Sequence, residues 1–232
     1  MVYQKVFKAI FLERPNRFIA WVELNGKKEL CHVKNTGRCR ELLIPGVMVY
    51  VQESENLNRK TKYDLIAVRK GERLVNIDSQ APNLAVGEFL PQLFPDGTLF
   101  RAETFYKTSR FDYYIETPNK RIFLEVKGIT LEENGVVLFP DAPTERGVKH
   151  LRELMDCMKD GYDAYILFVI QMKNVLCFKP NDQTHPAFGD TLRLAAQAGV
   201  HLLAWDCLVT KNSMTLADPV KICLDRTGEE HL

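Results

Sequence analysis

Two stretches decide the fold of this 232-residue chain: Ser109-Arg-Phe-Asp-Tyr-Tyr-Ile-Glu116 and Arg121-Ile-Phe-Leu-Glu-Val-Lys-Gly128. Both are rich in β-branched and aromatic residues, and the intervening Thr117-Pro-Asn-Lys120 has turn composition, so together they predict a β-hairpin. Alternate residues of a strand point to the same face, which puts Glu125 and Lys127 side by side. Because their flanking residues are apolar, burying these opposite charges requires partners or a metal ion.

A further charged residue, Asp112 on the first strand, completes a candidate site for a hard divalent cation. Mg²⁺ prefers oxygen ligands and usually keeps several waters. Lys127 beside the carboxylates would hold or deprotonate an attacking water and neutralise phosphate charge. The alternative is a solvated hairpin with a cross-strand ion pair.

The spacing of these residues, Asp followed after twelve residues by Glu-x-Lys, resembles the core of the PD-(D/E)XK nucleases. The hairpin also lies between two predicted helices, as that resemblance requires. Phe111 stands where the nuclease pattern usually has a proline.

The chain after residue 80 predicts a mixed α/β sheet. Asn83 is a good N-cap for a helix over Leu84–Leu93, bounded by prolines. An apolar stripe at helical spacing predicts a second helix over Thr144–Lys159. The continuous apolar run Ala164–Gln171 predicts a central strand buried on both faces. The remaining predicted elements are strands over Leu99–Tyr106, Val136–Phe139, Asn174–Phe178 and Val200–Trp205, and a helix over Asp190–Ala198.

The first 80 residues predict short strands separated by turns. Asn25-Gly26 is a strong hairpin signal, because a type I′ turn needs positive φ. After three strands, Thr36–Leu43 predicts a short helix, and further strands follow. This is the element order of an OB-type barrel, which typically binds oligonucleotides; an SH3-like barrel would give a similar order.

The balance of charged residues also changes near residue 80. Residues 1–80 hold 15 Lys and Arg against 9 Asp and Glu, whereas residues 81–232 hold 16 against 21, within a net charge of +1. A basic segment attracts polyanions through counterion release, although a solvated surface would show the same balance. We therefore predict a DNA-binding barrel over residues 1–80 and a nuclease-like domain over residues 81–232.

The sequence predicts a cytoplasmic protein. Its longest apolar run, Ala164–Ile170, is too short to span a membrane, and its first residues lack the features of a secretory signal. The six cysteines are scattered and predict free thiols. Cys31, His32 and Cys39 would make only half a zinc site, since no second ligand pair lies at finger spacing.

Three long blocks resemble one family. They are His32–Gly46, Phe111-Asp112 with Glu125–Leu131, and Phe139–Leu154. On these blocks the chain resembles the sugar fermentation stimulation protein A family. The resemblance implies an OB-like domain followed by a restriction-endonuclease-like domain, sequence-independent DNA binding, and a regulatory role in sugar (maltose) utilisation.

The resemblance also assigns roles at the hairpin. Asp112 and Glu125 would bind Mg²⁺ or Mn²⁺, the Val126 carbonyl would be a third ligand, and Lys127 would be catalytic. Two further carboxylates are weaker candidates for a metal contact: Glu88 and Glu103.

Two segments are candidate DNA contacts. On the second helix, Arg146, Lys149 and His150 lie at i, i+3 and i+4, opposite the apolar stripe and near a helix N-terminus that favours anions. In the barrel, a glycine permits close backbone approach to phosphate and an arginine supplies a guanidinium fork. The alternatives are a solvated helix face and a purely structural turn. The predicted barrel contacts are Asn35, Thr36, Gly37, Arg38 and Arg40.

Three functions compete: a metal-dependent deoxyribonuclease, a non-catalytic DNA-binding protein with a retained nuclease fold, and a carbohydrate-binding regulator. The intact Asp112, Glu125 and Lys127 favour the first. The basic N-terminal third favours nucleic acid over sugar, and the lack of a helix-turn-helix argues against sequence-specific repression. The oligomeric state is left open.

Overall fold

The computed structural model describes residues 1–35, 37–56 and 58–226. The first part of the chain forms six strands. They are β1 (Val6–Asn16), β2 (Ile19–Leu24), β3 (Lys27–Val33), β4 (Met48–Glu53), β5 (Tyr63–Lys70) and β6 (Arg73–Asn76).

Strands β1 to β5 close into a small barrel. β1 pairs with both β2 and β4, β4 pairs with β5, and β3 closes the barrel by pairing with β5 in parallel. At the β2–β3 turn, Asn25 and Gly26 have φ values of 51° and 74°. Both are positive, as a type I′ turn requires. The predicted OB-like barrel is confirmed.

The predicted helix over Thr36–Leu43 is wrong. In the described part of this segment the backbone makes one tight turn, in which the amides of Leu42 and Leu43 both donate to the Cys39 carbonyl. Arg14 of β1 donates to three carbonyls, two inside this segment and one just before it, and these hydrogen bonds hold the backbone in its non-helical course. Those three carbonyls belong to Asn35, Gly37 and Arg38.

The second part of the chain contains three helices and ten strands within the described residues. The helices are α1 (Ala81–Leu93), α2 (Glu145–Lys159) and α3 (Pro186–Gln197). The strands are β7 (Leu99–Tyr106), β8 (Ser109–Glu116), β9 (Arg121–Ile129), β10 (Glu132–Glu133), β11 (Val136–Phe139), β12 (Asp163–Ile170), β13 (Cys177–Pro180), β14 (His201–Val209), β15 (Met214–Pro219) and β16 (Lys221–Ile222).

A six-stranded mixed sheet forms the centre of this part, in the order β15-β14-β12-β9-β8-β7. β12 lies between two parallel neighbours, β9 and β14, and its residues Ala164 and Ile166–Ile170 are buried. The apolar run therefore predicted a central strand correctly. A separate four-stranded sheet has the order β10-β11-β13-β16. The predicted fold class, a barrel followed by a mixed sheet with helices, is confirmed.

Helix α1 begins earlier than predicted. It starts at Ala81, with Pro82 in its first turn, where a missing N–H costs nothing. Asn83 is thus inside the helix rather than its N-cap, and its side chain is free to contact the sheet. Helix α2 begins as predicted, with the Thr144 side chain accepting a hydrogen bond from the Gly147 amide at 3.0 Å.

Polar contacts join the barrel to the rest of the chain. Glu132 of β10 forms ion pairs with Lys70 and Arg73 of the β5–β6 hairpin, each at 2.7 Å. Residues at the chain start also contact the second part of the chain, since the Tyr3 amide donates to the Asn212 carbonyl at 2.7 Å. The division into domains 1–80 and 81–232 stays a prediction.

Within the described ranges no helix is long and apolar enough to cross a membrane. The six cysteines are free thiols.

Candidate metal and nucleic-acid site

The β8–β9 hairpin brings Asp112 to the edge of β9. Regular pairing of the two strands ends at the Tyr113–Leu124 pair. Beyond it the Val126 amide donates to Asp112 Oδ2 at 2.7 Å, so the carboxylate takes the position of a backbone acceptor. Asp112 is therefore fixed beside the two charged residues of β9.

The Glu125 carboxylate is buried and contacts two nitrogen-bearing side chains. Its side chain is on the same face as that of Lys127, and Oε1 contacts both Lys127 Nζ and His150 Nδ1. Glu125 is only 2% exposed. The second oxygen, Oε2, is buried and has no hydrogen-bond partner among the described residues. A buried carboxylate oxygen without a partner is costly, so this atom marks a position for a ligand.

The pKa values of the two carboxylates move in opposite directions. Burial raises the pKa of Asp112, and the nearby negative charge of Glu125 raises it further. For Glu125, burial opposes ionisation, but the hydrogen bond with His150 and the charge of Lys127 outweigh it and lower the pKa. Two carboxylates that repel each other in this way are stabilised by a shared cation.

Asn83 is a site residue that sequence reasoning did not assign to the site. Its Nδ2 donates to Asp112 Oδ1 at 2.7 Å, and its carbonyl accepts from the Tyr113 hydroxyl at 2.6 Å. These bonds attach the first turn of α1 to β8. The only sequence signal was a polar residue at the start of the helix, which fits a capping role equally well.

The sequence predicted His150 on the outer, exposed face of α2. In the structure its side chain is buried instead. It is 5% exposed, because it lies on the side of α2 that faces the sheet, where it is bonded to Glu125 of β9 and contacts the Phe111 ring of β8. Arg146 Nε donates to His150 Nε2 at 3.3 Å. Since Nε2 accepts from Arg146, Nδ1 carries a proton and donates it to Glu125.

The other two helix candidates are exposed, as predicted. Arg146 and Lys149 lie on the first turns of α2, and Lys149 Nζ is 3.6 Å from Glu153 Oε1. Their role in DNA binding stays a prediction.

The barrel turn is held in shape by Arg14. Its guanidinium donates to four carbonyls, three of them in the segment 35–38, and the Asn35 side chain accepts from the Gly37 amide at 2.7 Å. Arg38 and Arg40 are exposed, whereas Thr36 lies outside the described residues. Arg14 was not singled out from the sequence, because its partners are distant along the chain.

An open groove of about 560 Å³ runs along this turn. Four arginines line it, and within the described residues none of them forms an ion pair with a carboxylate. They are Arg14, Arg17, Arg38 and Arg40. Arg14 already donates to four carbonyls, so the exposed guanidinium groups of Arg17, Arg38 and Arg40 are the ones open to a ligand with several phosphates.

The weaker metal candidates lie elsewhere. Glu88 is exposed and contacts the amino group of Met1 at 2.6 Å. Glu103 lies opposite Asp112 in the β7–β8 pairing, but its exposed carboxylate is 3.3 Å from Arg110 Nη1. In the described residues, no cluster of three or more His, Cys, Asp or Glu side chains could hold a metal ion. A cation at Asp112 and Glu125 would thus need backbone or water oxygens as well, including the Val126 carbonyl.

Comparison with known sequences identifies the family. Residues 12–77 match the SfsA N-terminal OB domain, and residues 80–213 match the Sugar fermentation stimulation protein RE domain. The chain belongs to the sugar fermentation stimulation protein family. Homologues so named from Clostridium beijerinckii and Desulfitobacterium hafniense are 57% and 56% identical to it, over 97% of this chain and 100% and 99% of those proteins.

A solved member of the family shares the fold over nearly the whole chain. The structure of Pyrococcus furiosus SfsA in complex with Ca²⁺ has a TM-score of 0.84 and 30% sequence identity, and the match covers 96% of this chain and 97% of that one. The family resemblance predicted from the sequence is confirmed.

Proposed function

We propose that this protein is a divalent-metal-dependent deoxyribonuclease that binds DNA without sequence specificity. The observation that carries the proposal is the convergence of Asp112, Glu125 and Lys127 on one hairpin, with Glu125 Oε2 buried and unpartnered. Phosphodiester hydrolysis needs carboxylates to hold a cation and a positive group near the phosphate, and this hairpin supplies both.

The residues fit a hard cation such as Mg²⁺ or Mn²⁺. Both oxygens of Asp112 accept one hydrogen bond each and keep lone pairs for a further ligand. Glu125 Oε2 has no other partner, and its low pKa keeps the carboxylate ionised. The Ca²⁺ complex of the Pyrococcus furiosus relative supports a preference for oxygen-ligated cations. When bound, the cation would polarise the scissile phosphodiester.

Lys127 would act on the phosphate itself. Its ammonium group is ion-paired with Glu125 and largely shielded from solvent, so it is held in place. In hydrolysis a water oxygen bonds to phosphorus while the bond to the leaving sugar oxygen breaks. The positive charge of Lys127 stabilises the negative charge that develops on the phosphate and orients the attacking water.

The exposed arginines of the groove, Arg17, Arg38 and Arg40, would hold the DNA backbone, and Arg14 would keep the turn in shape. Guanidinium groups bind phosphate oxygens irrespective of the base, which accounts for sequence-independent binding. Binding of this kind weakens steeply with salt. A part in the regulation of sugar utilisation would follow from DNA binding and rests on the family name alone.

The test is incubation of the purified protein with single- and double-stranded DNA in Mg²⁺, Mn²⁺ or EDTA, with Glu125→Gln as the matched control. We expect cleavage in the metal-containing reactions, abolished by EDTA and by the substitution. Salt-sensitive binding without cleavage in any metal would instead establish the non-catalytic DNA-binding function. Failure to bind DNA at all would exclude both.

A further inference from the structure

A second cavity, of about 170 Å³, lies where the barrel turn meets the end of β9. One wall is formed by Asn35, Gly37 and Ser79, and the other by residues of the second part of the chain, from Gly128 onward. The volume corresponds to roughly six water molecules. It can take one planar ring system but not a base pair.

Gln171 at the base of this cavity is locked in one orientation. The residue is 2% exposed, and its Nε2 donates to the Asn76 carbonyl at 3.1 Å, to Asn76 Oδ1 at 3.0 Å and to the Asp78 carbonyl at 3.1 Å. Oε1 therefore faces the other way, toward Gly128, and accepts no hydrogen bond from the described residues. Oε1 is therefore a fixed acceptor that is available to a ligand or water in the cavity.

Asp141 places a second acceptor at the same cavity. It is exposed and forms no ion pair within the described ranges. Its carboxylate lies so close to Gly37 that a Cβ there would be 2.5 Å from Oδ2, just as a Cβ at Gly128 would be 2.6 Å from Gln171 Oε1. The two glycines let the walls approach and leave the acceptors facing the cavity.

The cavity lies between the arginine groove and the candidate catalytic strand. Gly37 lines both the cavity and the groove, and Gly128 directly follows Lys127. A strand whose phosphates contact Arg38 would thus run beside the cavity, because Gly37 borders both. The base beside that path is the group nearest to the two acceptors.

We propose that this cavity binds one unpaired nucleobase of the DNA strand, and that its acceptors select a base carrying an exocyclic amino group. The inference rests on the proposed function, because it takes DNA as the ligand. Carboxylate and amide oxygens accept from the amino groups of cytosine and adenine, whereas thymine has no amino group. Only a single-stranded or unstacked base can enter, so single strands are the preferred substrate.

The test is fluorescence anisotropy in EDTA with labelled dC, dA and dT homopolymers of equal length. We expect dC and dA to bind at least about fivefold more tightly than dT, and a dA·dT duplex more weakly than the dA strand. Asp141→Asn should reduce the preference for dC and dA over dT, because an amide can donate as well as accept. Asp96→Asn is the control, since it removes one exposed negative charge away from the cavity.

The outcomes separate the two proposals. Equal, salt-sensitive binding of all three homopolymers would overturn the base pocket and leave DNA binding intact. A base preference that is unchanged in Asp141→Asn would also overturn it. If the parent binds none of the oligonucleotides, the proposed function fails and the pocket with it.

Discussion

His150 of α2 and Glu125 of β9 are bonded to each other inside the protein, through Nδ1 and Oε1. The Arg146 contact at Nε2 completes a chain from the helix surface to the candidate metal ligand. Because Oε1 is occupied by His150 and Lys127, Oε2 is the oxygen left for a ligand. We therefore expect His150, whose ring is buried, to act as a positioning residue for Glu125.

We expect His150 to carry a proton on Nδ1, since Nε2 accepts from Arg146. Imidazole ¹⁵N shifts from two-dimensional NMR distinguish the two tautomers. His150→Leu should lower the free energy of unfolding by about 1–3 kcal/mol, because Glu125 loses a buried partner. Lys149→Ala on the same helix is the control, with a change within about 0.5 kcal/mol. An Nε2–H tautomer would contradict the assignment.

Asp112→Asn should raise the melting temperature without metal and abolish most of the increase that bound metal gives. In EDTA at pH 7 the variant should melt at a higher temperature, because burial and Glu125 both disfavour a charge at this position. In saturating Mn²⁺ the parent should gain about 5–10 °C at a hundredfold excess over Kd, and the variant should gain almost nothing. Differential scanning calorimetry of both proteins in both buffers makes the comparison. Equal metal-dependent gains would remove Asp112 from the ligand set.

Lys127→Ala and Arg38→Ala should separate chemistry from binding. Loss of Lys127 removes an interaction that is strongest in the transition state, so cleavage should fall roughly 100-fold while DNA affinity changes by under about 1 kcal/mol. Arg38→Ala should weaken binding and leave the turnover of bound DNA nearly unchanged. Single-turnover cleavage and anisotropy on the same preparations measure both quantities. A Lys127→Ala protein that cleaves like the parent would refute the catalytic role.

The hairpin was predictable because its signal is local. Period-2 alternation alone puts Glu125 beside Lys127, and their contact in the structure follows from that spacing. The central strand was predictable for a similar reason, since only a strand covered on both faces is apolar at every position.

The features that sequence reasoning missed depend on distant partners. The conformation of the barrel turn depends on Arg14, which is more than 20 residues away along the chain. Its guanidinium donates hydrogen bonds to the carbonyls of the turn. His150 borders the apolar stripe of α2, and its burial depends on Glu125 and Phe111 of the sheet, neither of which appears in the periodicity of the helix itself. Asn83 could serve equally as a cap or as a partner of Asp112 until α1 is placed against the sheet.

The contact between the barrel and β10 should make stability depend on pH through Glu132. This buried carboxylate pairs with Lys70 and Arg73, and although burial opposes ionisation, these partners lower its pKa from 4.5 to about 2. A lowered folded-state pKa stabilises the protein above the unfolded value, and that stabilisation is lost as pH falls through the folded value.

Glu132→Gln should therefore destabilise the protein by up to roughly 3 kcal/mol at pH 7, the free energy that corresponds to this lowering. The difference from the parent should fall below about half near pH 3 and vanish as pH falls below about 2, where the carboxyl becomes protonated in both states. Urea unfolding across this pH range measures it, and Glu133→Gln is the control because Glu133 is the exposed neighbour on the same strand. A difference independent of pH would mean that Glu132 acts by packing rather than by charge.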